Sequence, residues 1–362
     1  MRIAYGVHGY GRGHATRAQA LLAELSTRHE VVLFAGGNAH EVLAARHEVR
    51  RIPSLELAYT GPRVSWRRTL AANAGLLADL WLGGPCSRAV HGLLREQRPD
   101  VILSDSEPFL LRAARQLLVP SIGLDHVGVI AHCRPEVPLA DRPRLTLDAA
   151  LYRLLLGRAD QVIVSSFFTP AEVRPGVHVV PPILRDAVLR AQPTDGEHVL
   201  VYFNSGRLLT GAVASALGAL GVRVVAYGAD RVGVDGLVTY RPFDAAAFVE
   251  DLASCRAVLA TGGHQLIAEA LHLGKPLLLC PEGTAEQRLN AREAERMGVA
   301  RAIPHRDLSA GVLRQFLAEL AGPRAALGRL ARPGNGRIAE AVERLAAELT
   351  GREPVGAVGQ AL

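Results

Sequence analysis

The sequence predicts an α/β protein built from two similar domains, each with a parallel β-sheet. Its 362 residues exceed what one hydrophobic core usually organises. Of these residues 49% are apolar, and strand patterns alternate with helix patterns, which is typical of parallel α/β folds. A segment rich in proline and polar residues separates the two halves. We therefore expect an N-terminal domain over 1–182, a linker over 183–197, a C-terminal domain over 198–350 and a tail over 351–362.

The first half opens with a strand, a glycine-rich turn and a helix. Arg2–Val7 is the predicted strand, the turn reads HGYGRGHATR, and apolar residues at helical spacing follow it. The turn is not a dinucleotide-binding fingerprint, because its glycines at 9, 11 and 13 do not follow the order G-x-G-x-x-G. The second predicted strand, 31–35, also ends without the acidic residue that would hold an adenosine ribose. The sequence therefore disfavours NAD, and we expect no cofactor.

Acidic residues follow two further predicted strands of the first half. One strand ends in Asp105, with Glu107 just beyond it, and the next is followed by Asp125 and His126. Because the carboxyl ends of parallel strands share one edge of a sheet, these residues and the glycine-rich turn should meet there, where open α/β sheets bind ligands. Asp125 and His126 could contact a substrate or cap a helix, and the sequence does not separate these alternatives.

The second half begins with a strand over 198–203 that ends at Asn204, Ser205 and Gly206, a loop able to close over a phosphate. Further strands are predicted over 223–228 and 238–240. The last of them leads through Phe243 into a helix. Phe243 could face a nucleobase or pack against the sheet, and both interpretations stay open.

The segment 261–290, TGGHQLIAEALHLGKPLLLCPEGTAEQRLN, carries the strongest signal. A strand over 257–260 is followed by Gly262, Gly263 and a helical pattern. Two glycines let a phosphate approach the backbone closely, and a helix N-terminus attracts the anion. A second strand, 277–280, and a loop complete the segment. The polar residues that this loop is expected to present are Glu282, Glu286, Gln287 and Asn290.

The order and spacing of this segment resemble the donor-binding signature of GT-B glycosyltransferases that use nucleotide sugars. That resemblance implies two Rossmann-like domains whose parallel sheets face a central cleft, with a final helix crossing back onto the first domain. It also implies that Glu269 holds the ribose and that Glu286 and Gln287 hold the sugar. The residues expected to bind the donor are Gly11, Gly13, Ser205, Gly206, Phe243, Thr261, Gly262, Gly263, His264, Glu269, Glu286 and Gln287.

Gly13 and His14 resemble the Gly-His pair that places a catalytic imidazole in the first loop of such enzymes. A histidine is suited to remove the acceptor proton because its pKa lies near neutrality. We expect His14 to be this base and Asp105 to orient it, with another carboxylate as the open alternative. His8 is the nearest competitor for the role of base. The expected reaction is an inverting transfer of a sugar from a UDP- or TDP-sugar.

Two other functions fit the same fold. Non-hydrolysing epimerases of UDP-N-acetylglucosamine bind a sugar nucleotide, but they need several acidic groups, whereas the Gly-His pair favours transfer. A non-catalytic nucleotide-sugar sensor would keep the donor site and dispense with His14 and Asp105.

The acceptor is much less defined. The segment 55–87 carries both tryptophans, Trp66 and Trp81, an arginine run and a predicted helix over 71–80. Tryptophan and arginine suit stacking on rings or binding a lipid head group, but an ordinary amphipathic surface helix explains them equally well. A small molecule and a lipid-linked sugar are both possible acceptors. Peripheral membrane contact stays open, because the resembling group includes an enzyme of peptidoglycan synthesis that acts on a lipid-linked sugar.

Composition limits the other partners. The net charge of +6 favours anionic donors, yet no basic cluster is interleaved with aromatic residues, so nucleic acid is not expected. The sequence starts directly with a strand, and no apolar run approaches the ~20 residues that span a bilayer, so we expect a cytoplasmic protein. No Asp-x-Asp motif is present to hold a metal–diphosphate complex, so we expect no metal. The oligomeric state does not follow from the sequence.

Overall fold

The computed structural model describes residues 1–9, 12–56, 58–60, 63–203, 206–331 and 334–353. The chain forms two compact units. The first takes in the described residues of 1–58, 65–185 and 333–362, and the second takes in those of 59–64 and 186–332.

The strands of the described residues are, in chain order, β1 (Arg2–Val7), β2 (Glu30–Ala35), β3 (Val49–Arg51), β4 (Tyr59–Thr60), β5 (Arg63–Val64), β6 (Val101–Asp105), β7 (Ser121–Asp125), β8 (Cys133–Arg134), β9 (Gln161–Ser165), β10 (Glu172–Val173), β11 (Val177–Val180), β12 (Val199–Tyr202), β13 (Val224–Tyr227), β14 (Gly233–Asp235), β15 (Val238–Arg241), β16 (Ala257–Ala260), β17 (Leu277–Leu279) and β18 (Ala300–Ala302). The α-helices of the same residues are α1 (Arg12–Leu25), α2 (Gly37–Ala44), α3 (Trp66–Leu82), α4 (Pro85–Gln97), α5 (Pro108–Leu117), α6 (Gly128–His132), α7 (Arg142–Leu156), α8 (Asp186–Arg190), α9 (Gly211–Gly218), α10 (Ala245–Ser254), α11 (His264–His272), α12 (Ala285–Arg296), α13 (Ala310–Ala318), α14 (Ala321–Leu327) and α15 (Gly336–Thr350).

Each unit contains one large sheet. Over the described residues, the first has seven parallel strands in the order β11-β9-β7-β6-β1-β2-β3. The second, over the same described residues, also has seven strands, in the order β14-β15-β13-β12-β16-β17-β18, and β14 is its antiparallel edge strand. The predicted α/β class with a parallel sheet in each half is therefore confirmed.

The strand orders fix where ligands can bind. In the first sheet the chain winds outward from β1 through β2 to β3 and then returns to β6, which pairs with the other side of β1. In the second sheet it winds outward from β12 and returns to β16 in the same way. Open α/β sheets bind ligands at such switch points, beyond the carboxyl ends of the strands. The predicted site residues follow these strands.

The first sheet is covered on both faces, as a buried parallel sheet requires. On one face Leu21 and Leu25 of α1 and Val342 and Leu345 of α15 pack with Leu103 and Ile122 in a continuous apolar core. Residues of α3, α4 and α5 form the core on the other face. In the second unit, β12, β13 and β16 contribute to a core of their own.

Two local predictions were wrong. Gly13 and His14 were expected in a loop, but α1 begins at Arg12 and holds both in its first turn. The loop expected to present Glu286 and Gln287 is the start of α12, where the Thr284 hydroxyl accepts a hydrogen bond from the Gln287 backbone N–H. The sequence signal for this helix was present, because Thr284 followed three residues later by Gln287 has the spacing of a capping box. Along the described residues, no helix has the length and apolarity to cross a bilayer.

Candidate active site

The structure brings His14 and Asp105 together at the switch point of the first sheet. His14 lies in the first turn of α1, which follows β1, and Asp105 is the last residue of the neighbouring strand β6. His14 Nδ1 is 2.8 Å from Asp105 Oδ1. The Asp105 side chain is fully buried, whereas 20% of the His14 side chain is exposed. The pair therefore has a buried carboxylate and an imidazole that reaches solvent.

A third residue, Arg17, joins this pair. Its Nε donates to Asp105 Oδ2 at 2.6 Å, and its Nη2 contacts Asp105 Oδ1 and lies 2.7 Å from His14 Nδ1. Burial alone would raise the pKa of Asp105, but Arg17 and His14 lower it to about 2. Burial opposes the charge on Arg17 as well, and the Asp105 carboxylate more than offsets this, so the pKa of Arg17 is raised. Asp105 and Arg17 thus form a buried ion pair.

His8 sits beside His14 with ring centroids 5.2 Å apart in an edge-to-face arrangement. Burial lowers the pKa of His8 to about 3, and the neighbouring His14 adds to this effect. Its backbone N–H donates to the Asp105 carbonyl at 3.0 Å. The half-buried His8 imidazole, with its pKa lowered this far, is a poor proton acceptor at neutral pH.

The other two carboxylates at this edge bind backbone N–H groups. Glu107 is the N-cap of α5 and accepts from Phe109 and Leu110, and burial raises its pKa to about 7. Asp125 accepts from the Gly128 N–H at 2.6 Å, at the start of α6, and burial raises its pKa. It also accepts from the Ser106 hydroxyl at 2.8 Å. Glu107 therefore caps α5. Asp125 accepts from the first N–H group of α6, whose N-cap residue is Val127.

A cavity of about 360 Å³ lies next to this site in the first unit. Its lining includes Ser106, Asp125, His132, Tyr152 and Arg153, while His14 and Asp105 are not among the lining residues. Within the described residues, no group of three or more His, Cys, Asp or Glu side chains is arranged to hold a metal ion.

In the second unit, the turn between β16 and α11 is held by side chains of α12. The Gly262 N–H donates to Gln287 Oε1 at 3.3 Å, and the Gly262 carbonyl accepts from Asn290 Nδ2 at 2.9 Å. Gln287 Oε1 also accepts from the Glu282 N–H at 2.9 Å. A Cβ on Gly262 would collide with the Gln287 carbonyl oxygen. Gly262 and Gln287 therefore fix the turn and the following loop relative to each other.

Gly263 differs from Gly262, because a Cβ there would meet nothing within 4 Å. It is the N-cap of α11, so the positive end of that helix begins here. Thr261 and His264 flank the turn and are both buried. Glu269 lies on α11 with only 1% of its surface exposed, and its carboxylate accepts from Gln265 Nε2 at 3.0 Å. Glu286, in the first turn of α12, accepts from Asn290 Nδ2 at 2.6 Å.

The remaining predicted donor residues lie elsewhere. Phe243 is half-buried and packs with aromatic rings, its ring centroid 5.5 Å from that of Phe248 and 6.3 Å from that of Tyr202. Gly206 begins a 3₁₀ turn beside Asp230, and a Cβ there would collide with the Asp230 carboxylate. Gly13 has open space around it, with nothing within 4 Å of an added Cβ. Gly11 and Ser205 lie outside the described residues.

The sequence reasoning missed Arg17 and the paired roles of Gln287 and Asn290. Arg17 could have been found, because it is three residues after His14 and side chains at that spacing share one face of a helix. The contacts of Gln287 with Gly262 join residues that are 25 positions apart in the chain. Nothing local in the sequence indicates them.

Comparisons with known proteins agree with this architecture. Residues 1–321 match glycosyl transferase family 1. A protein of Methanosarcina acetivorans described as an uncharacterized glycosyltransferase is 29% identical over 332 residues, which cover 84% of this chain and 86% of that protein.

Two solved structures are similar in fold. The glycosyltransferase of kitacinnamycin has a TM-score of 0.70 and 19% identity, over 95% of this chain and 98% of that one. Glycosyltransferase VinC, solved in complex with dTDP, has a TM-score of 0.64 and 17% identity, over 96% of this chain and 100% of that one. The two parallel-sheet α/β units match these GT-B structures. The chain therefore belongs to glycosyl transferase family 1 and is a glycosyltransferase, as the resemblance of its sequence motifs implied.

Proposed function

We propose that this enzyme is an inverting glycosyltransferase that moves a sugar from a UDP- or TDP-sugar to a hydroxyl or amine of a small-molecule or lipid acceptor. The observation that carries the proposal is the contact of His14 Nδ1 with Asp105 Oδ1 at the switch point of the first sheet. Asp105 is buried and ionised, so it can orient the imidazole and stabilise the imidazolium that forms.

The dyad supplies the proton transfer that this reaction needs. In the tautomer whose Nδ1–H donates to Asp105, the lone pair of the imidazole lies on Nε2, the nitrogen that can remove the acceptor proton. The deprotonated acceptor atom then attacks the anomeric carbon as the bond to the diphosphate breaks. A single displacement of this kind inverts the anomeric centre.

The second unit would bind the donor. The N-terminus of α11 at Gly263 offers open space and a positive dipole end, which suit a diphosphate both in the substrate and as it departs. We assign the ribose to Glu269 and the sugar to Glu286, following the resemblance. VinC, which shares the fold, was solved with dTDP, and this supports a pyrimidine nucleotide.

A comparison of His14→Ala with wild type tests the base assignment. Loss of a general base should lower kcat by about 10²–10⁴-fold while the affinity for the nucleotide stays unchanged. The donor is first identified by thermal shift with UDP, TDP, GDP and ADP, because selective binding stabilises the folded state. Turnover is then measured as nucleotide release with and without acceptors, and Asp105→Asn should lose turnover together with His14→Ala.

His47→Ala is the matched control, because His47 is an exposed histidine of the same unit. It should turn over as wild type does. Full turnover in His14→Ala would show that His14 is not the base. A loss of nucleotide affinity with normal kcat would make His14 a donor contact instead.

A further inference from the structure

One atom each of Arg17, His14 and Asp105 lie in mutual contact. Arg17 Nη2 lies 2.7 Å from His14 Nδ1, both contact Asp105 Oδ1, and Arg17 Nε binds the other carboxylate oxygen at 2.6 Å. Arg17 is 7% exposed and Asp105 is fully buried. The Arg17 guanidinium therefore contacts both oxygens of the Asp105 carboxylate, to which His14 is hydrogen-bonded.

This arrangement changes the electrostatics of the dyad. A bare carboxylate next to an imidazole favours the imidazolium, because opposite charges attract across a short distance. Here the carboxylate is already paired with a permanent cation that lies equally close to the imidazole. An imidazolium at His14 would face an ion pair whose charges cancel instead of a bare carboxylate. The Arg17 guanidinium would also repel it.

The other groups around the dyad do not reproduce this effect. Among the described residues, the titratable groups that interact with His14, Asp105 or Arg17 from the surrounding elements are Tyr5, His8 and Asp125. Burial raises the pKa of the Tyr5 hydroxyl and lowers that of His8, so both are neutral near pH 7. The Asp125 carboxyl binds Ser106 and the Gly128 N–H. Arg17 is thus the cation that contacts both His14 and Asp105.

We propose that Arg17 is a positioning residue of the proposed catalytic dyad, which fixes the Asp105 carboxylate and offsets the attraction of that carboxylate for a proton on His14. The inference rests on the proposed role of His14 as the base. It gives a reason for a buried arginine one helical turn after the catalytic histidine. The Asp105 carboxylate can then orient the imidazole without charging it prematurely.

The test is an NMR titration of the His14 imidazole in protein labelled with ¹⁵N-histidine, with the signal assigned by a His14→Gln variant. The variants Arg17→Met and Arg17→Gln remove the cation, and Arg17→Lys keeps the charge but loses the two-pronged contact. In the Met and Gln variants the midpoint of His14 protonation should rise by about one pH unit or more, because the carboxylate is no longer offset. In the Lys variant it should stay near the wild-type midpoint.

Arg28→Met is the matched control. Arg28 follows α1 in the same unit and pairs with Glu343 at 2.7 Å with 40% of its side chain exposed, so its loss should leave the midpoint unchanged. A midpoint equal to wild type in both Arg17→Gln and Arg17→Met would overturn the inference, since a purely structural arginine would behave in this way. If one of these two variants does not fold, the other decides.

Turnover separates this inference from the proposed function. If His14 is the base, the acid limb of the pH profile of kcat/KM should move to higher pH in Arg17→Gln and Arg17→Met, in parallel with the titration. A shifted titration in a protein whose His14→Ala variant retains full turnover would uphold the electrostatic role of Arg17 and reject His14 as the base.

Discussion

Glycines that look alike in the sequence are required for different physical reasons. Gly262 has its N–H and carbonyl bound by Gln287 and Asn290, and a Cβ there would collide with the Gln287 backbone. The next residue, Gly263, has open space at the N-terminus of α11. The sequence assigned both glycines to phosphate binding. The structure gives Gly262 a packing reason as well, and leaves Gly263 as the one with room for a ligand.

Alanine substitutions at these two glycines should therefore affect different properties, stability at one position and nucleotide binding at the other. Gly262→Ala should destabilise the second unit by about 1–3 kcal/mol, because overpacking forces the backbone of α12 to move. Gly263→Ala should leave stability nearly unchanged and weaken nucleotide binding, because the methyl group would occupy the space into which the diphosphate must come. Calorimetric unfolding and nucleotide titration measure the two effects on the same samples.

Each of the two variants is the matched control of the other, because the positions are adjacent and the added methyl group is the same. Wild-type nucleotide affinity in Gly263→Ala would show that the diphosphate does not approach this turn. An unchanged unfolding temperature in Gly262→Ala would show that the contact with Gln287 is not rigid.

At the scale of elements, α12 holds the turn between β16 and α11 in place. Gln287 Oε1 accepts from the backbone N–H groups of Gly262 and Glu282, so one amide joins the β16–α11 turn to the loop before α12. Only 7% of Gln287 is exposed. The resemblance assigned this residue to the sugar. Its contacts indicate a structural role that applies whether or not it also reaches the sugar.

Gln287→Ala should lower the stability of the second unit by about 1–3 kcal/mol, because two buried N–H groups would lose their acceptor. Chemical denaturation measures this, and donor KM is measured in parallel. Gln315→Ala is the matched control, because Gln315 lies exposed on α13 of the same unit and its side chain binds the exposed Glu319 side chain at 3.0 Å. Normal stability with a raised donor KM would mean that Gln287 serves the sugar alone.

At the scale of the whole molecule, the first unit is not continuous in sequence. Helix α15, near the C-terminus, packs in the same apolar core as β1 and α1 through Ile338, Val342 and Leu345. The Asn335 side chain binds both the N–H and the carbonyl of Leu184, at 2.9 and 2.7 Å. Residues more than 150 positions apart therefore complete one folding unit.

Leu345→Ala should destabilise the first unit by about 2–5 kcal/mol, because Leu345 is fully buried and the truncation leaves a cavity. Scanning calorimetry should show the transition of the first unit at a lower temperature and that of the second unit unmoved. Arg344→Ala, on the exposed side of the same helix, should change neither transition. A shift confined to the transition of the second unit would contradict this assignment of α15.

Much of the fold was determined locally and could be predicted. Apolar runs bounded by glycine, proline or polar residues predicted β1 and β16 with the bounds that the structure shows, and predicted that β6 ends at Asp105. The ends of elements were less secure. The start of α1 and the first part of α12 were misassigned to loops, although α12 is rich in strong helix formers and Thr284 caps it.

By itself, the sequence determined the α/β class, the two parallel sheets, the strand that ends at Asp105, and the strands that come before His14 and before the 261–264 turn. These features depend on patterns of apolar, glycine and polar residues that are close together in the chain. The tertiary structure decided the strand order that makes β1 and β6 neighbours, and with it the contact of His14 with Asp105. It also decided that Arg17, 88 positions from Asp105, would bind that carboxylate. The physical reason is that hydrogen bonds between distant residues form only once the sheet has brought their backbones together, and no local pattern records them.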